Sequence, residues 1–205
     1  MVALNTGNAK AALAVRGDDL YETPTCATEA LLRVEKLPES IWEPACGPGS
    51  IVKTLRGAGH RVYATDVVDY GCPDSEARVD FLMEQLPGFH VGAIVTNPPF
   101  KLAREFVTHA LTLAPKVVML LRLAFIESES RRAILDCGLL SKVYVFRNRL
   151  PMMHRAGRGT MVAKTNSSAM AFAWFVWDLQ HRGPTELHRI SWTPPQAANA
   201  VMAVE

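Results

Sequence analysis

The segment Asn97-Pro98-Pro99-Phe100 has the composition in this chain that points most directly to chemistry. It follows the apolar run 93–96, which is typical of a buried strand, and the prolines end that strand because they cannot donate ladder hydrogen bonds. The side-chain oxygen of Asn97 and the carbonyl oxygen of Pro98 can each accept one hydrogen of a planar amino group. The prolines hold both acceptors in place, and the Phe100 ring can stack on a flat molecule. The alternative is a rigid turn without a ligand.

A second candidate site is the turn between a predicted strand and helix, with the sequence Glu43-Pro44-Ala45-Cys46-Gly47-Pro48-Gly49. Its two glycines have no side chains, so the backbone can approach a ligand closely. Asp66 ends the next predicted strand, where a carboxylate can accept hydrogen bonds from both hydroxyls of a ribose. An ordinary tight turn and a capping aspartate are the alternatives.

The residues around this turn disfavour a nicotinamide dinucleotide. Ile51 and Val52 follow where the dinucleotide pattern has its third glycine. The Glu43 carboxylate would repel a pyrophosphate, but it suits a ligand with a cationic amino or sulfonium group. Asp80 and Phe81 offer an acceptor for an adenine amine and an apolar face beside its ring. They are equally consistent with a loop carboxylate and a core aromatic.

The order of these motifs resembles that of the class I S-adenosylmethionine-dependent amino-methyltransferases. Their Asn/Asp/Ser-Pro-Pro-Tyr/Phe motif is matched by Asn97 to Phe100, and the likeness covers roughly residues 20–180. The resemblance implies S-adenosylmethionine as the cofactor. Tyr21 and Thr23 resemble the family's amino-terminal motif, and a helix cap with Pro24 is the alternative. The cofactor contacts implied in this way are Tyr21, Thr23, Glu43, Ala45, Gly47, Gly49, Asp66, Asp80, Phe81 and Asn97.

The resemblance also implies an activity, with adenine N6 in DNA as the favoured target and small phage or prophage enzymes as the nearest type. An exocyclic amine is a poor nucleophile because its lone pair is delocalised into the ring, and acceptors at Asn97 and Pro98 would localise that pair. A base in duplex DNA would first have to rotate out of the helix. Adenine N6 or guanine N2 in RNA and protein glutamine are alternative targets. A non-catalytic nucleic-acid-binding module is the alternative from another class.

Positive charges are concentrated in the second half of the chain. No acidic residue lies between Asp136 and Asp178, and the loop 151–168 lies within this interval. The loop also holds Gly157, Gly159, Asn166 and Ser167, which offer hydrogen-bond donors to phosphate. This combination indicates a nucleic-acid surface, with DNA favoured over RNA. The alternative is a basic loop that is only solvated. The candidate substrate contacts are Phe100, Arg147, Arg149, His154, Arg155, Arg158 and Lys164, and Lys142 belongs to the same basic interval.

Composition sets the outer limits of these predictions. The 205 residues carry a net charge of +2, and the four cysteines form no Cys-x-x-Cys pair. Neither a signal peptide nor an apolar run long enough to cross a membrane is visible, so we expect a cytoplasmic protein. No residues have metal-site spacing, so no metal is predicted. A large target-recognition domain does not fit in this length. Either the loop 151–168 recognises the base, or a homodimer or another partner supplies the specificity, or the substrate is not duplex DNA.

The pattern of the chain predicts an α/β fold with a seven-stranded, mainly parallel, Rossmann-like methyltransferase sheet. The predicted features are helices on both faces, an antiparallel edge strand, and Trp174 and Trp177 in the core. We expect a flexible arm at 1–19, one domain at 20–193 and a tail at 194–205. Strands are predicted at 40–43, 61–66, 77–81, 92–96, 116–121, 142–147 and 171–177, with helices from Thr25 toward Pro38, through 103–111 and over 127–136.

Overall fold

The computed structural model describes residues 21–156, 160–162 and 170–194. The strands in these ranges are Tyr21–Glu22 (β1), Ser40–Glu43 (β2), Arg61–Asp66 (β3), Glu76–Ala77 (β4), Ala93–Thr96 (β5), Lys116–Arg122 (β6), Leu140–Phe146 (β7), Met153–Ala156 (β8), Thr160–Val162 (β9), Phe172–Asp178 (β10) and Glu186–Ile190 (β11). Eight of them form one sheet in the order β11-β7-β10-β6-β5-β2-β3-β4. The other three form a small antiparallel sheet in the order β1-β8-β9. The predicted arm lies outside the described residues, as does the tail beyond residue 194.

The large sheet is parallel except at β10, which runs antiparallel to both of its neighbours, β6 and β7. The strand β11 then adds outside β7 in parallel register. The predicted α/β class and mainly parallel sheet are confirmed. The antiparallel strand β10 is not the edge strand, because β7 and β11 lie outside it. The strand β11 was not predicted, and it extends the sheet by one strand.

Four α-helices occur in the described residues: Thr25–Leu32 (α1), Ser50–Gly57 (α2), Ala103–Leu113 (α3) and Arg132–Leu135 (α4). The first two pack on one face of the sheet through residues such as Leu31 and Leu55. The other two pack on the opposite face through residues such as Phe106 and Ile134. Helices therefore cover both faces, as the alternating sequence pattern predicts.

The core is built on the long apolar runs of the central strands. The five residues 117–121 of β6 are all buried, as expected for a strand covered on both faces. Trp174 and Trp177 are fully buried in β10, which confirms their predicted place in the core. Each indole N–H reaches a backbone carbonyl, that of Trp174 at Ala27 and that of Trp177 at Ile134. These hydrogen bonds matter because a buried N–H without an acceptor would destabilise the fold.

Three predicted elements differ from the structure. The strand expected at 77–81 is limited to Glu76–Ala77, because the Asp80 carboxylate accepts from the Leu82 N–H and caps a 3₁₀ turn at Phe81–Met83. The helix expected over 127–136 is reduced to a 3₁₀ turn and α4, since Ser128 has a φ of 128° outside the helical region. The first helix ends at Leu32, well before Pro38.

No helix among the described residues is long and apolar enough to cross a membrane.

Candidate functional site

A cleft opens where the chain leaves the carboxyl ends of β2, β3 and β5. Its volume is about 310 Å³. Parallel strands bring their carboxyl ends to one edge, so the glycine turn, the acidic residue of β3 and the Asn97 segment meet there although they are far apart in sequence. We call this the first cleft. It is lined by Glu22, Thr23, Pro44, Ala45, Cys46, Gly47, Pro48, Ser50, Ile51, Asp66, Val67, Val68, Tyr70, Val79, Asp80, Phe81, Asn97, Pro98, Pro99, Phe100, Leu102 and Phe106.

The glycine turn and the end of β3 are joined by a buried hydrogen bond. Gly47 has a φ of 52°, a left-handed conformation that favours glycine, and its N–H donates to Oδ2 of Asp66 over 2.8 Å. The other carboxylate oxygen, Oδ1, accepts from the N–H of Val68 over 3.0 Å. Asp66 is 7% exposed. Its carboxylate is therefore held at the cleft wall by two backbone donors.

Glu43 is fully buried behind the turn and is absent from the lining of the first cleft. Its Oε1 accepts from the N–H of Ala45 over 3.1 Å. Burial raises the pKa of Glu43 to about 8, against the opposing effects of the Thr96 hydroxyl and the Ala45 N–H, and the nearby Asp66 raises it further. A pKa raised in this way favours the protonated carboxyl at neutral pH. The structure places Glu43 behind the first cleft, where its carboxyl holds the backbone of Ala45, and direct contact of a charged Glu43 with a cation stays a prediction.

Gly49 also lies outside the cleft lining, and its lack of a side chain has a packing reason. It precedes α2 with a φ of 91°. A Cβ placed there would lie 2.6 Å from Sγ of Cys72. The left-handed φ and the approach of the Cys72 side chain together favour glycine here, and the role of Gly49 as a ligand contact stays a prediction.

Asp80, Phe81 and Thr23, three more of the predicted cofactor contacts, line the cleft. Asp80 lines it beside Phe81, which is buried and packs edge-on against Trp42 with ring centroids 5.2 Å apart. Thr23 is buried in the lining, and its carbonyl oxygen accepts from the Ser50 hydroxyl over 2.5 Å. That bond ties the segment before α1 to the start of α2.

Tyr21 is described only through its backbone, which lies in β1 opposite His154 of β8. The strand pair places the segment before α1 beside the basic stretch predicted as a substrate loop. Part of that predicted loop, 151–168, is therefore strand. The residues 157–159 and 163–169 lie outside the described residues.

The segment after β5 brings Asn97 and the two prolines to the wall of the first cleft, with Pro98 buried. The Phe100 ring packs against Phe172, with centroids 5.8 Å apart. The guanidinium of Arg122 lies 4.3 Å from the Phe100 ring centroid. Arg122 was not predicted. In the sequence, Arg122 is recognisable only as a basic residue at the end of a long apolar strand, and this does not indicate a contact with Phe100.

The predicted basic residues separate into different places. Lys142 is paired with the buried Glu35, its Nζ lying 2.9 Å from Oε2. Arg147 and Arg149 line a second cleft, which is lined by Leu123, Val145, Phe146, Arg147, Asn148, Arg149, Ala171, Phe172 and Arg189. His154 and Arg155 lie in β8, where only the backbone is described, and Arg158 and Lys164 lie outside the described residues. Within the described ranges no three His, Cys, Asp or Glu side chains could hold a metal ion.

Solved structures with the same architecture were found by comparison. No protein-family model matches the sequence, and no curated protein matches it. A Pyrococcus horikoshii protein, PH1948, provisionally assigned as an RNA methyltransferase, aligns with a TM-score of 0.56 and 14% identity over 77% of this chain and 86% of its own. The 23S rRNA methyltransferase ErmE aligns with a TM-score of 0.50 and 15% identity over 81% of this chain and 71% of its own.

A third structure comes from a restriction enzyme. It is a modification subunit, provisionally assigned to a type I restriction enzyme of Vibrio vulnificus YJ016, with a TM-score of 0.56 and 13% identity. The alignment covers 88% of this chain and 49% of that subunit. The chain has the methyltransferase fold. In that fold, the first cleft lies at the carboxyl edge of the parallel strands, where open α/β sheets bind their ligands.

Proposed function

We propose that this protein is an S-adenosylmethionine-dependent methyltransferase that acts on an exocyclic amino group of a nucleic-acid base, with adenine N6 in DNA as the first candidate. The observation that carries the proposal is the meeting of Asn97 and Asp66 in one cleft. An amide that can accept amine hydrogens and a carboxylate suited to ribose hydroxyls thereby line the same ligand site.

The donor set of the first cleft fits S-adenosylmethionine. The Asp66 carboxylate is anchored at the cleft wall by two backbone N–H groups, and a carboxylate is the type of acceptor that suits ribose hydroxyls. Asp80 and Phe81 supply an acceptor and an apolar wall on the same side. The volume of about 310 Å³ is in the range of small-ligand sites, roughly 300–1,000 Å³. Bound S-adenosylmethionine supplies an electrophilic methyl group.

The chain's own residues would prepare the amine. The Asn97 side-chain oxygen and the Pro98 carbonyl accept its two hydrogens and favour the positive charge that develops on nitrogen. Phe100 offers a ring beside the base. No side chain has to remove a proton before transfer, because the methylated nitrogen is acidic enough to lose one to water.

DNA and RNA are both polyanions whose bases carry exocyclic amino groups, so the site chemistry suits either. The basic interval favours a polyanion over a protein glutamine. RNA is a second candidate because the solved structures of this fold include ErmE, whose substrate is 23S rRNA.

The test is transfer of tritiated methyl from S-adenosylmethionine to duplex DNA, single-stranded DNA, total RNA and a protein extract in parallel, followed by mass spectrometry of the nucleosides and amino acids. Binding to the same nucleic acids is measured alongside. N6-methyladenine in DNA is the expected product. Label confined to RNA would move the assignment to RNA, and methylated glutamine in a protein substrate would move it to protein. No incorporation with retained nucleic-acid binding would identify a binding module and overturn the proposal.

A further inference from the structure

The second cleft carries three arginines on neighbouring strands. Its volume is about 270 Å³. Arg147 and Arg149 follow β7, and Arg189 belongs to β11. The Arg147 N–H donates to the carbonyl of Ile190 over 2.8 Å, so the backbone fixes the two strand ends relative to each other. The positive charges are therefore gathered by the parallel register of β7 and β11.

The guanidinium groups of these arginines differ from most charged side chains in the described part of the chain. Among the described residues, none of the three guanidinium groups has an ion pair or a side-chain hydrogen bond, and all three residues are exposed. By contrast, Lys116 and Lys142 both bind the buried carboxylate of Glu35. A cluster of unpaired guanidinium groups repels itself, so it is suited to an anionic ligand.

The second cleft adjoins the first through one aromatic contact. Phe172 lines the second cleft, and its ring lies against that of Phe100, which lines the first. Arg122 pairs with Phe172 across the β6–β10 ladder, and its guanidinium lies over the Phe100 ring. The strands β5, β6 and β7 run in the same direction, so Asn97, Arg122 and Arg147 lie at strand ends on one edge of the sheet. A chain molecule with its reacting group at Asn97 can extend along that edge to the three arginines.

We propose that the second cleft binds backbone phosphates of the nucleic-acid strand that carries the target base, with Arg147, Arg149 and Arg189 as the phosphate contacts. The inference rests on the proposed function. The fork of N–H donors on arginine matches phosphate oxygens, and the apolar walls from Leu123, Phe146 and Phe172 accommodate sugar and base carbon atoms. Contacts of this kind fix the position of the strand and carry no sequence information.

The test is fluorescence anisotropy with a labelled single-stranded oligonucleotide, as DNA and as RNA, and S-adenosylhomocysteine present. We expect the double variant Arg147→Ala/Arg189→Ala to raise Kd at least tenfold and to reduce the slope of log Kd against log salt by about one to two. Arg61→Ala is the matched control. Arg61 lies at the opposite edge of the sheet, at the start of β3, and its ion pair with Glu39 is exposed.

A neutral backbone isolates the phosphate contribution. The double variant and the wild type should bind a methylphosphonate oligonucleotide equally, because no phosphate charge is left to lose. Equal Kd and salt slope for both proteins on the natural oligonucleotide would overturn the inference, as would a loss that persists on the neutral backbone. Binding needs no methyl transfer, so failure of the methyl-transfer assay alone would overturn only the proposed function.

Discussion

The Gly47 N–H and Asp66 Oδ2 are joined by a buried hydrogen bond of 2.8 Å, so the glycine turn after β2 and the carboxylate at the end of β3 are positioned together. A substitution at either residue therefore affects the position of the other. Asp66 therefore has a structural task, holding the turn, and a proposed binding task, accepting ribose hydroxyls. The two tasks predict separable effects.

We expect Asp66→Ala to lower the free energy of unfolding by about 1–3 kcal/mol, because it leaves the Gly47 and Val68 N–H groups without their acceptor. It should also weaken S-adenosylmethionine binding at least tenfold by calorimetry. Asp69→Ala is the matched control, since exposed Asp69 also accepts a backbone hydrogen bond, from Gly71, but does not line the cleft. An unchanged cofactor Kd in Asp66→Ala would refute the ribose assignment.

Asn97→Ala should separate binding from catalysis. Removing one acceptor of the amine hydrogens is expected to lower the methyl-transfer rate by about two orders of magnitude or more. Cofactor Kd should stay within a few-fold of the wild-type value, because Asp66 and the glycine turn are unchanged. Asn97→Asp keeps an acceptor oxygen and should retain more activity than Asn97→Ala. Single-turnover assays measure both variants, and wild-type rates in Asn97→Ala would contradict the mechanism.

Gly49→Ala should destabilise the fold for two distinct reasons. The left-handed φ of 91° costs roughly 1–2 kcal/mol for a residue with a Cβ, and that Cβ would lie 2.6 Å from Cys72 Sγ. The second variant Cys72→Ala removes the collision but not the backbone strain. Urea unfolding of both single variants and the double variant should therefore give a double variant more stable than the sum of the single effects. Additive losses would mean that the Cys72 contact does not constrain Gly49.

Much of the fold is predictable because buried parallel strands have a strong sequence signal. The run 117–121 and the strand 61–66 lie where their apolar residues indicate. β11 was missed because it is an edge strand with mostly exposed residues, and its pairing with β7 depends on backbone bonds that have no side-chain pattern. The helix over 127–136 was overestimated because periodicity does not reveal the φ of 128° at Ser128.

The candidate site shows the same division between local and long-range information. The turn, Asp66 and Asn97 meet as predicted, because the topology of a parallel sheet brings strand ends together. The positions of Glu43 and Gly49 could not be read from spacing, since they depend on burial and on the approach of Cys72 from a distant loop. Arg122 was missed for the same reason, because its contact with Phe100 joins two different strand ends.

The buried Glu43 predicts a pH dependence of stability. Its folded pKa of about 8 lies above the model-peptide value of 4.5, so between these values the unfolded chain gives up a proton that the folded protein keeps. The contribution of Glu43 to stability is therefore fully present below pH 4.5 and falls as pH rises toward 8, by up to about 1.4 kcal/mol per pH unit. Glu43→Gln removes this fall, because the amide stays neutral.

Urea unfolding of the wild type and Glu43→Gln at several pH values between 4 and 8 measures the effect. We expect the variant to gain stability relative to the wild type as pH rises, while at pH 4 the difference reflects packing alone. The amide oxygen can still accept from the Ala45 N–H, so the turn should keep its geometry. A difference in stability that stays constant with pH would mean that Glu43 is ionised in the folded protein, and its carboxylate would then return as a direct electrostatic contact for a cationic ligand.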